Sequence, residues 1–204
     1  NSDREKRNNM NIFILDNDPE IAASYHCDKH VLKMILESGQ MLCTAHWLGW
    51  LDYLKKDIKD FRTQKEAKAF LYQEVPTVFQ PEWKMTHINH PCSVWTRESL
   101  DNYVWHSKLG LALCEEYEKR YGKTHKSSRV HRWLHNNHPP RLQSKGLSPF
   151  SICMLEDYKV SDDPVDCYRE YYLKDKVRFA KWRSGDLPPW WSRTTEQSDE
   201  FQGR

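Results

Sequence analysis

Apolar and polar positions along the chain recur with a helical period. Asp18 is suited to cap a helix that begins at Pro19. The apolar positions that follow recur every three or four residues, at Val31, Met34, Ile35 and Leu42. The pattern predicts a helix from Pro19 to about Trp47, either continuous or interrupted near Gly39. A glycine inside a helix costs about 1 kcal/mol relative to alanine, which indicates close packing at this position.

Further segments continue this pattern, and together they predict a mainly α protein. Residues 11–15 form a short apolar run, which we interpret as a strand or an extended segment. We expect three more helical segments, at Leu48–Tyr72, Pro91–Tyr121 and Val165–Trp182. The predicted fold is a single compact helical domain over residues 10–191 with a short N-terminal extended segment. A disordered extension at 1–9 and a disordered tail at 192–204 are predicted to flank it.

The charge balance of the whole chain hides one basic segment. The chain has 204 residues, 31 of them Lys or Arg and 29 Asp or Glu, so its average charge does not indicate nucleic-acid binding. Residues 122–147 contain no acidic side chain and are predicted to form a basic loop. We expect the basic residues of this loop to bind DNA phosphates and its tryptophan to stack on a base: Lys123, Lys126, Arg129, Arg132, Trp133 and Arg141. The alternative is a solvated loop without a partner.

One stripe of the first predicted helix combines acidic, imidazole and amine side chains. At 3.6 residues per turn, one face carries His26, His30, Lys33 and Glu37. An amine beside a base can attack an electrophilic carbon, and a carboxylate can stabilise a sugar with oxocarbenium character. We therefore predict four catalytic residues, Asp28, His30, Lys33 and Glu37. The alternative is a surface helix decorated with ion pairs.

A second polar cluster lies at residues 86–99, where the next predicted helix begins at Pro91. Its imidazole, amide and guanidinium groups are suited to binding and orienting a substrate. Together with neighbouring positions, the cluster predicts five substrate-binding residues: Lys29, Asn89, His90, Arg97 and Asn102.

Zinc binding is the alternative use of the histidines. His26 and His30 have the i,i+4 spacing of two ligands on one helix face. Further ligands are available at Cys27, His87, His90 and Cys92. The chain lacks both an HExxH motif and a CxxC pair, and two histidines four residues apart are common by chance. We therefore predict no metal and no cofactor, with zinc as the minor alternative.

The cysteine pattern and the polar N-terminus bear on the compartment. Six scattered cysteines without a CxxC pair indicate free thiols in a reducing environment. Residues 1–9 lack the apolar core of a signal peptide, and no apolar run has the length of a membrane span. We expect a cytoplasmic protein without a membrane partner.

Four motifs carry a resemblance to known proteins. They are MNIF at 10–13, DKHVxKMxxE at 28–37, NHPCxxWxR at 89–97, and a segment from Glu116 to Lys126. Together they resemble a set of phage-encoded proteins over residues 10–191, which implies expression in an infected host cell. More remotely, the layout resembles the pyrimidine-dimer DNA glycosylases, the phage endonuclease V group. Those are small, mainly α proteins with an early helix bearing His, Arg and Glu and an aromatic-rich C-terminal segment.

The resemblance to the glycosylases implies excision of a base. It makes Glu37 or Asp28 the essential acid, and it matches the aromatic end of that family with Trp182–Trp191. That family uses a free N-terminal amine as nucleophile. Here nine residues precede Met10, so Lys29 or Lys33 would have to replace that amine.

Motifs, charge and resemblance together predict an enzyme that binds double-stranded DNA and excises or modifies pyrimidine bases, including hypermodified ones. The target base would be flipped out of the duplex to reach the site. Two alternatives stay open. One is an enzyme acting on nucleotides or nucleosides, with little affinity for DNA at any salt concentration. The other is a non-catalytic phage protein that binds or inhibits a partner, whose function would tolerate alanine substitutions along the first helix.

Overall fold

Residues 10–191 are described by the computed structural model, and they contain seven α-helices and no β-strand. The helices are α1 (Pro19–Tyr25), α2 (Asp28–Tyr53), α3 (Gln64–Glu74), α4 (Pro91–Thr96), α5 (Leu100–Tyr121), α6 (Ser128–Asn136) and α7 (Pro164–Tyr171). A π-helical turn, Tyr172–Lys176, follows α7. The predicted compact, mainly α fold is confirmed. The extension predicted at 1–9 and the tail predicted at 192–204 lie outside the described residues.

Helix α2 is the centre of the fold. It has 26 residues, a length of about 39 Å, and it packs against α3, α4, α5 and α6. The apolar positions predicted for its buried face are buried, at Val31, Met34, Ile35 and Leu42. Because α2 is enclosed on several sides, the polar stripe that it carries borders the core.

The first predicted helix is broken two turns after its start, between α1 and α2. Two carbonyl groups at the end of α1 accept hydrogen bonds from the buried guanidinium of Arg120: Ser24 O at 3.0 Å and His26 O at 2.7 Å. Cys27 is extended and α2 starts after it. Helix α2 is not interrupted at Gly39, and the close packing predicted there is confirmed, because the ring of Trp83 lies where a β-carbon of Gly39 would be.

Three other predicted boundaries differ from the structure. The helix predicted from Pro91 to Tyr121 is two helices, because the Ser99 side chain accepts the Asn102 N–H and caps the second one. The basic segment predicted as a loop contains α6, whose apolar residues pack against α2 and α5. The final predicted helix does not reach Trp182, since α7 ends in the π-helical turn.

The N-terminal segment 10–15, predicted as a strand or an extended segment, runs through the core without forming a strand. All six of its residues are buried. Phe13 has a positive φ of 54° and stacks on the His30 ring at 4.2 Å between centroids. Tyr172 meets the His30 ring edge to face. This packing brings the neighbouring residue Asn11 against the polar stripe of α2, at Glu37.

Candidate functional site

Three side chains with metal-binding and nucleophilic atoms converge between α2, α4 and the segment before α7. One ring nitrogen of His90 and the sulfurs of Cys92 and Cys153 all lie within 4.8 Å of one another. The two sulfurs are 3.0 Å apart. We call these three residues the thiol–imidazole group. It joins parts of the chain that are far apart in sequence.

Local structure holds each member of the group in place. Pro91 starts α4, and the Nδ1 atom of His90 caps this helix by accepting the Cys92 N–H at 3.2 Å. Cys92 is fully buried, whereas Cys153 is partly exposed. The backbone of Cys153 is fixed by the Tyr168 hydroxyl, which accepts its N–H at 3.2 Å. The group is therefore rigid on the α4 side and reachable from solvent on the Cys153 side.

Glu37 and Lys33 of α2 lie next to the thiol–imidazole group. Their side chains form an i,i+4 pair at 3.5 Å, and the Glu37 side chain is 16% exposed. Asn11 links this pair to Cys153. Its backbone N–H donates to Glu37 Oε2 at 3.3 Å, and its side-chain amide donates to Cys153 O at 2.7 Å.

The environment shifts the pKa values of the ionisable groups at this site. The hydrogen bond between the sulfurs raises the pKa of Cys92 well above its ordinary value and lowers the pKa of Cys153 to about 7. Burial raises the pKa of Glu37, against the opposing charge of Lys33. Burial also lowers the pKa of His90, so its imidazole is neutral at pH 7. The site thus offers thiolate, neutral imidazole and carboxyl chemistry near neutral pH.

The two other predicted catalytic residues, Asp28 and His30, make contacts that stabilise the fold. Asp28 accepts from Arg120 and from the Arg183 N–H, both at 3.1 Å. His30 is buried, stacks on Phe13 and is hydrogen-bonded to the Tyr172 hydroxyl. Burial lowers the pKa of His30 to about 2. In these positions Asp28 holds the break before α2, and His30 fills the aromatic core.

The predicted substrate-binding residues are divided among four places. Asn89 is exposed beside His90, and Lys29 lies over the Phe179 ring at 4.4 Å. Asn102 is fully buried, and its amide donates to Trp95 O and to the Ser148 hydroxyl. Of the predicted substrate-binding residues, His90 is the member of the thiol–imidazole group.

Arg97 lies at the opposite end of α4, in a surface pocket of about 340 Å³. Arg141 and Lys145 line the same pocket, together with the acidic Asp52 and Glu98. Helix α4 has six residues, so about 9 Å separates its two ends. We call the pocket lined by Arg97, Arg141 and Lys145 the cationic pocket. It brings together two residues, Arg97 and Arg141, that the sequence assigned to separate binding regions.

The predicted DNA-binding segment forms α6 and its flanks. Lys123, Lys126 and Arg132 are exposed, whereas Trp133 is partly buried and packs on His46 at 4.9 Å between centroids. The segment also contacts acidic residues of other elements: Arg129 pairs with Glu82 at 2.6 Å, and the Thr124 hydroxyl donates to Glu118. The segment has no acidic residue of its own, but in the folded protein acidic residues of other elements lie against it.

Helix α6 and Glu37 lie on opposite sides of α2. His131 of α6 is hydrogen-bonded to Ile35 O at 2.7 Å. Glu37 follows Ile35 by two residues, which is about 200° around the helix. The exposed arginines of α6 are thus directed to a different face of the protein from the thiol–imidazole group.

The residues that the sequence offered for zinc are separated in the structure. His26 is buried and hydrogen-bonded to Ala22 O, and His87 is exposed. Only His90 and Cys92 of that set come together, and they do so with Cys153. Sequence reasoning missed Cys153, because 61 positions separate it from Cys92 and no spacing rule connects them.

No protein-family model, curated protein or solved structure matches this chain. Within residues 10–191, no helix combines the length and the apolar character needed to cross a membrane. Function is therefore inferred from the chemistry of the site.

Proposed function

We propose that the protein is an enzyme that acts on the pyrimidine bases of DNA, with Glu37 as its acid–base group. The observation that carries this proposal is the Lys33–Glu37 pair, which is largely screened from solvent and is tied through Asn11 to the thiol–imidazole group. A plain surface ion pair of the same spacing would have no such contacts. Perturbed carboxyl groups beside nucleophilic and imidazole groups are typical of active sites.

Glu37 has the properties of a proton donor and acceptor. Burial raises the pKa of Glu37 above that of an exposed glutamate. A carboxyl group in this position can give a proton to a leaving nitrogen or take one from an attacking group. Lys33 stabilises negative charge next to it or attacks an electrophilic carbon. These two roles serve both reactions predicted from the sequence, excision of a base and modification of a base.

The cationic pocket supports a polymeric substrate. Its residue Arg97 lies at the opposite end of α4 from His90 of the thiol–imidazole group. A DNA strand that runs along α4 would place one of its phosphates in the pocket. Arg97, Arg141 and Lys145 would bind a phosphate there while a flipped base reaches Glu37.

A second candidate function is favoured by the size of the same pocket. A volume of about 340 Å³ falls within the range of small-molecule sites, about 300–1,000 Å³. Asp52 and Glu98 at its wall oppose the approach of a long run of phosphates. This feature fits an enzyme that takes a single nucleotide.

The test is a substrate screen with the full chain. Duplex and single-stranded DNA containing normal, hydroxymethylated or dimerised pyrimidines are incubated with the protein, in parallel with the matching deoxynucleotides. Mass spectrometry then identifies released bases and the nucleosides left after digestion. A released base or a nucleoside of changed mass from DNA supports the proposal. Change in the nucleotides alone establishes the second candidate, and no change in any sample contradicts both.

A further inference from the structure

We propose that His90, Cys92 and Cys153 bind a zinc ion whose fourth coordination position is open. The three donor atoms already lie within 4.8 Å of one another. Around a tetrahedral zinc, with Zn–S of about 2.3 Å and Zn–N of about 2.0 Å, neighbouring donors are separated by about 3.5–3.8 Å. The two sulfurs, at 3.0 Å, have to move apart by less than about 1 Å to admit the ion.

The donor set is of the kind that zinc prefers. Two thiolates and one imidazole are common zinc ligands, and sites with three protein ligands leave the fourth position to water or substrate. Cysteines elsewhere in the described residues do not form such a set. Within residues 10–191, His90, Cys92 and Cys153 are the one group of three or more candidate ligands whose donor atoms lie this close together.

Neighbouring groups suit thiolate sulfur. The Ser151 hydroxyl lies 3.3 Å from the Cys153 sulfur, and the Asn11 side-chain amide donates to the Cys153 carbonyl at 2.7 Å. Donors of this kind orient metal-bound thiolates and reduce the charge that they carry. They arrive from the N-terminal segment and from the segment before α7, so the fold brings three separate parts of the chain around the proposed ion.

Zinc binding changes one contact of His90. A neutral imidazole has a single nitrogen lone pair, and in the structure this lone pair accepts the Cys92 N–H at 3.2 Å. A zinc ion on Nδ1 therefore replaces a weak helix cap. The other ring nitrogen, Nε2, then carries the proton.

The same two sulfurs have a competing reaction, which is oxidation to a disulfide. A disulfide requires a sulfur–sulfur distance of about 2.05 Å, so the pair at 3.0 Å would have to approach by about 1 Å instead of separating. The six cysteines of the described residues are free thiols in the structure. Zinc and disulfide formation exclude each other, which makes them separable by experiment.

Glu37 gives the open position a chemical use. Zinc lowers the pKa of a bound water, and a carboxylate beside it can take the proton as the water oxygen bonds to a substrate carbon. The carbon–nitrogen bond then breaks, and the proton passes from Glu37 to the leaving nitrogen. This step rests on the proposed function, whereas zinc binding does not.

The test measures metal directly. The full chain is purified and reconstituted with Zn²⁺ under anaerobic, reducing conditions, dialysed against buffer, and analysed for metal by mass spectrometry. We expect about one zinc per wild-type chain and loss of that zinc in Cys92→Ser, Cys153→Ser and His90→Gln. Cys114→Ser and His87→Gln are matched controls, because Cys114 is buried elsewhere and His87 is exposed three positions from His90.

Co²⁺ provides a readout of the ligands themselves. The wild type should show a thiolate-to-cobalt charge-transfer band and the visible bands of a tetrahedral ion, and Cys153→Ser should lose intensity in the first of these. Equal metal content in the wild type and in the Cys92→Ser/Cys153→Ser double variant would overturn the proposal. So would a wild type that retains no zinc, or one that holds a Cys92–Cys153 disulfide under these conditions. Metal bound by a protein that is inactive on DNA would contradict the proposed function and leave the zinc site supported.

Discussion

The sulfurs of Cys92 and Cys153 lie 3.0 Å apart, although 61 positions separate them in the chain. Their meeting depends on Asn11, whose side-chain amide binds the carbonyl of Cys153 and whose N–H binds Glu37. A buried N-terminal segment therefore connects a carboxyl group on α2 to a thiol pair.

Replacing Asn11 with alanine should loosen the site and destabilise the fold. The side chain of Asn11 is buried and also accepts the Ile12 N–H at 2.8 Å, so its removal leaves buried groups without partners. We expect a loss of about 1–3 kcal/mol in the free energy of unfolding, measured by urea denaturation. Asn137→Ala is the control, because the Asn137 amide donates only to Trp133 O in its own helix turn, and a smaller loss is expected there. Equal losses in the two variants would contradict the role of Asn11.

The buried Arg120 should contribute far more to stability than an exposed arginine. Its guanidinium contacts Asp28, Glu116 and the carbonyls that end α1. Arg120→Met leaves these groups uncompensated and should cost about 3–5 kcal/mol. Arg129→Met removes an ion pair whose arginine side chain is 70% exposed and should cost less than about 1 kcal/mol. Thermal and urea unfolding of the two variants check this, and similar losses would show that Arg120 does not fix the α1–α2 break.

The protein should lose stability as the pH falls below about 6.5. Burial lowers the pKa of each of five histidines, to about 4 for His26 and His131, about 3 for His46 and His106, and about 2 for His30. The unfolded chain binds protons at an ordinary pKa near 6.5, whereas the folded chain does not, so acid favours unfolding. At pH 5 each of these histidines should cost about 2 kcal/mol.

Urea denaturation at pH 7, 6 and 5 measures this effect. The free energy of unfolding should decrease at each step, and His131→Gln should reduce the slope between pH 6 and 5. A free energy of unfolding that is constant from pH 7 to 5 would show that these histidines are not held neutral in the folded state.

The cationic pocket should bind DNA more strongly than α6 does. Arg97 and Lys145 line the pocket next to α4, whereas Lys126 and Arg132 lie on the α6 side of the protein. We expect Arg97→Gln/Lys145→Gln to weaken binding of a fluorescent oligonucleotide more than Lys126→Gln/Arg132→Gln, and to reduce the slope of affinity against salt concentration. The reverse order would place the DNA on α6, as the basic sequence segment predicts.

The α2 stripe shows how far sequence reasoning reaches. Lys33 and Glu37 were placed on one helix face by periodicity alone, and the structure shows this pairing. The break before α2 could not be predicted in this way, because it depends on a hydrogen bond from Arg120 to a carbonyl 94 positions earlier. The same holds for Cys153, which reaches Cys92 from a segment without regular structure. Local patterns predict helices, whereas contacts between distant segments decide which polar groups meet.

The basic segment illustrates the opposite error. Its lack of acidic residues is a property of the sequence, and the fold supplies Glu82 and Glu118 from other elements. Helix formation at α6 was missed, because its polar residues outnumber the few apolar ones that pack on α2 and α5. A basic run in the sequence therefore predicts a basic surface only if the elements that pack beside it are known and carry no acidic residues.

The central claim is that Glu37 is the acid–base group of an enzyme acting on DNA bases. Its most direct test is the single-turnover rate of Glu37→Gln on whichever DNA substrate the screen identifies. Glu170→Gln is the matched control, because Glu170 forms the same kind of i,i+4 pair with Lys174, at 2.8 Å, away from the thiol–imidazole group. We predict a loss of about 10²–10⁴-fold for Glu37→Gln, with zinc content unchanged, and wild-type rates for Glu170→Gln. A Glu37→Gln variant that is folded and as fast as the wild type would contradict the account.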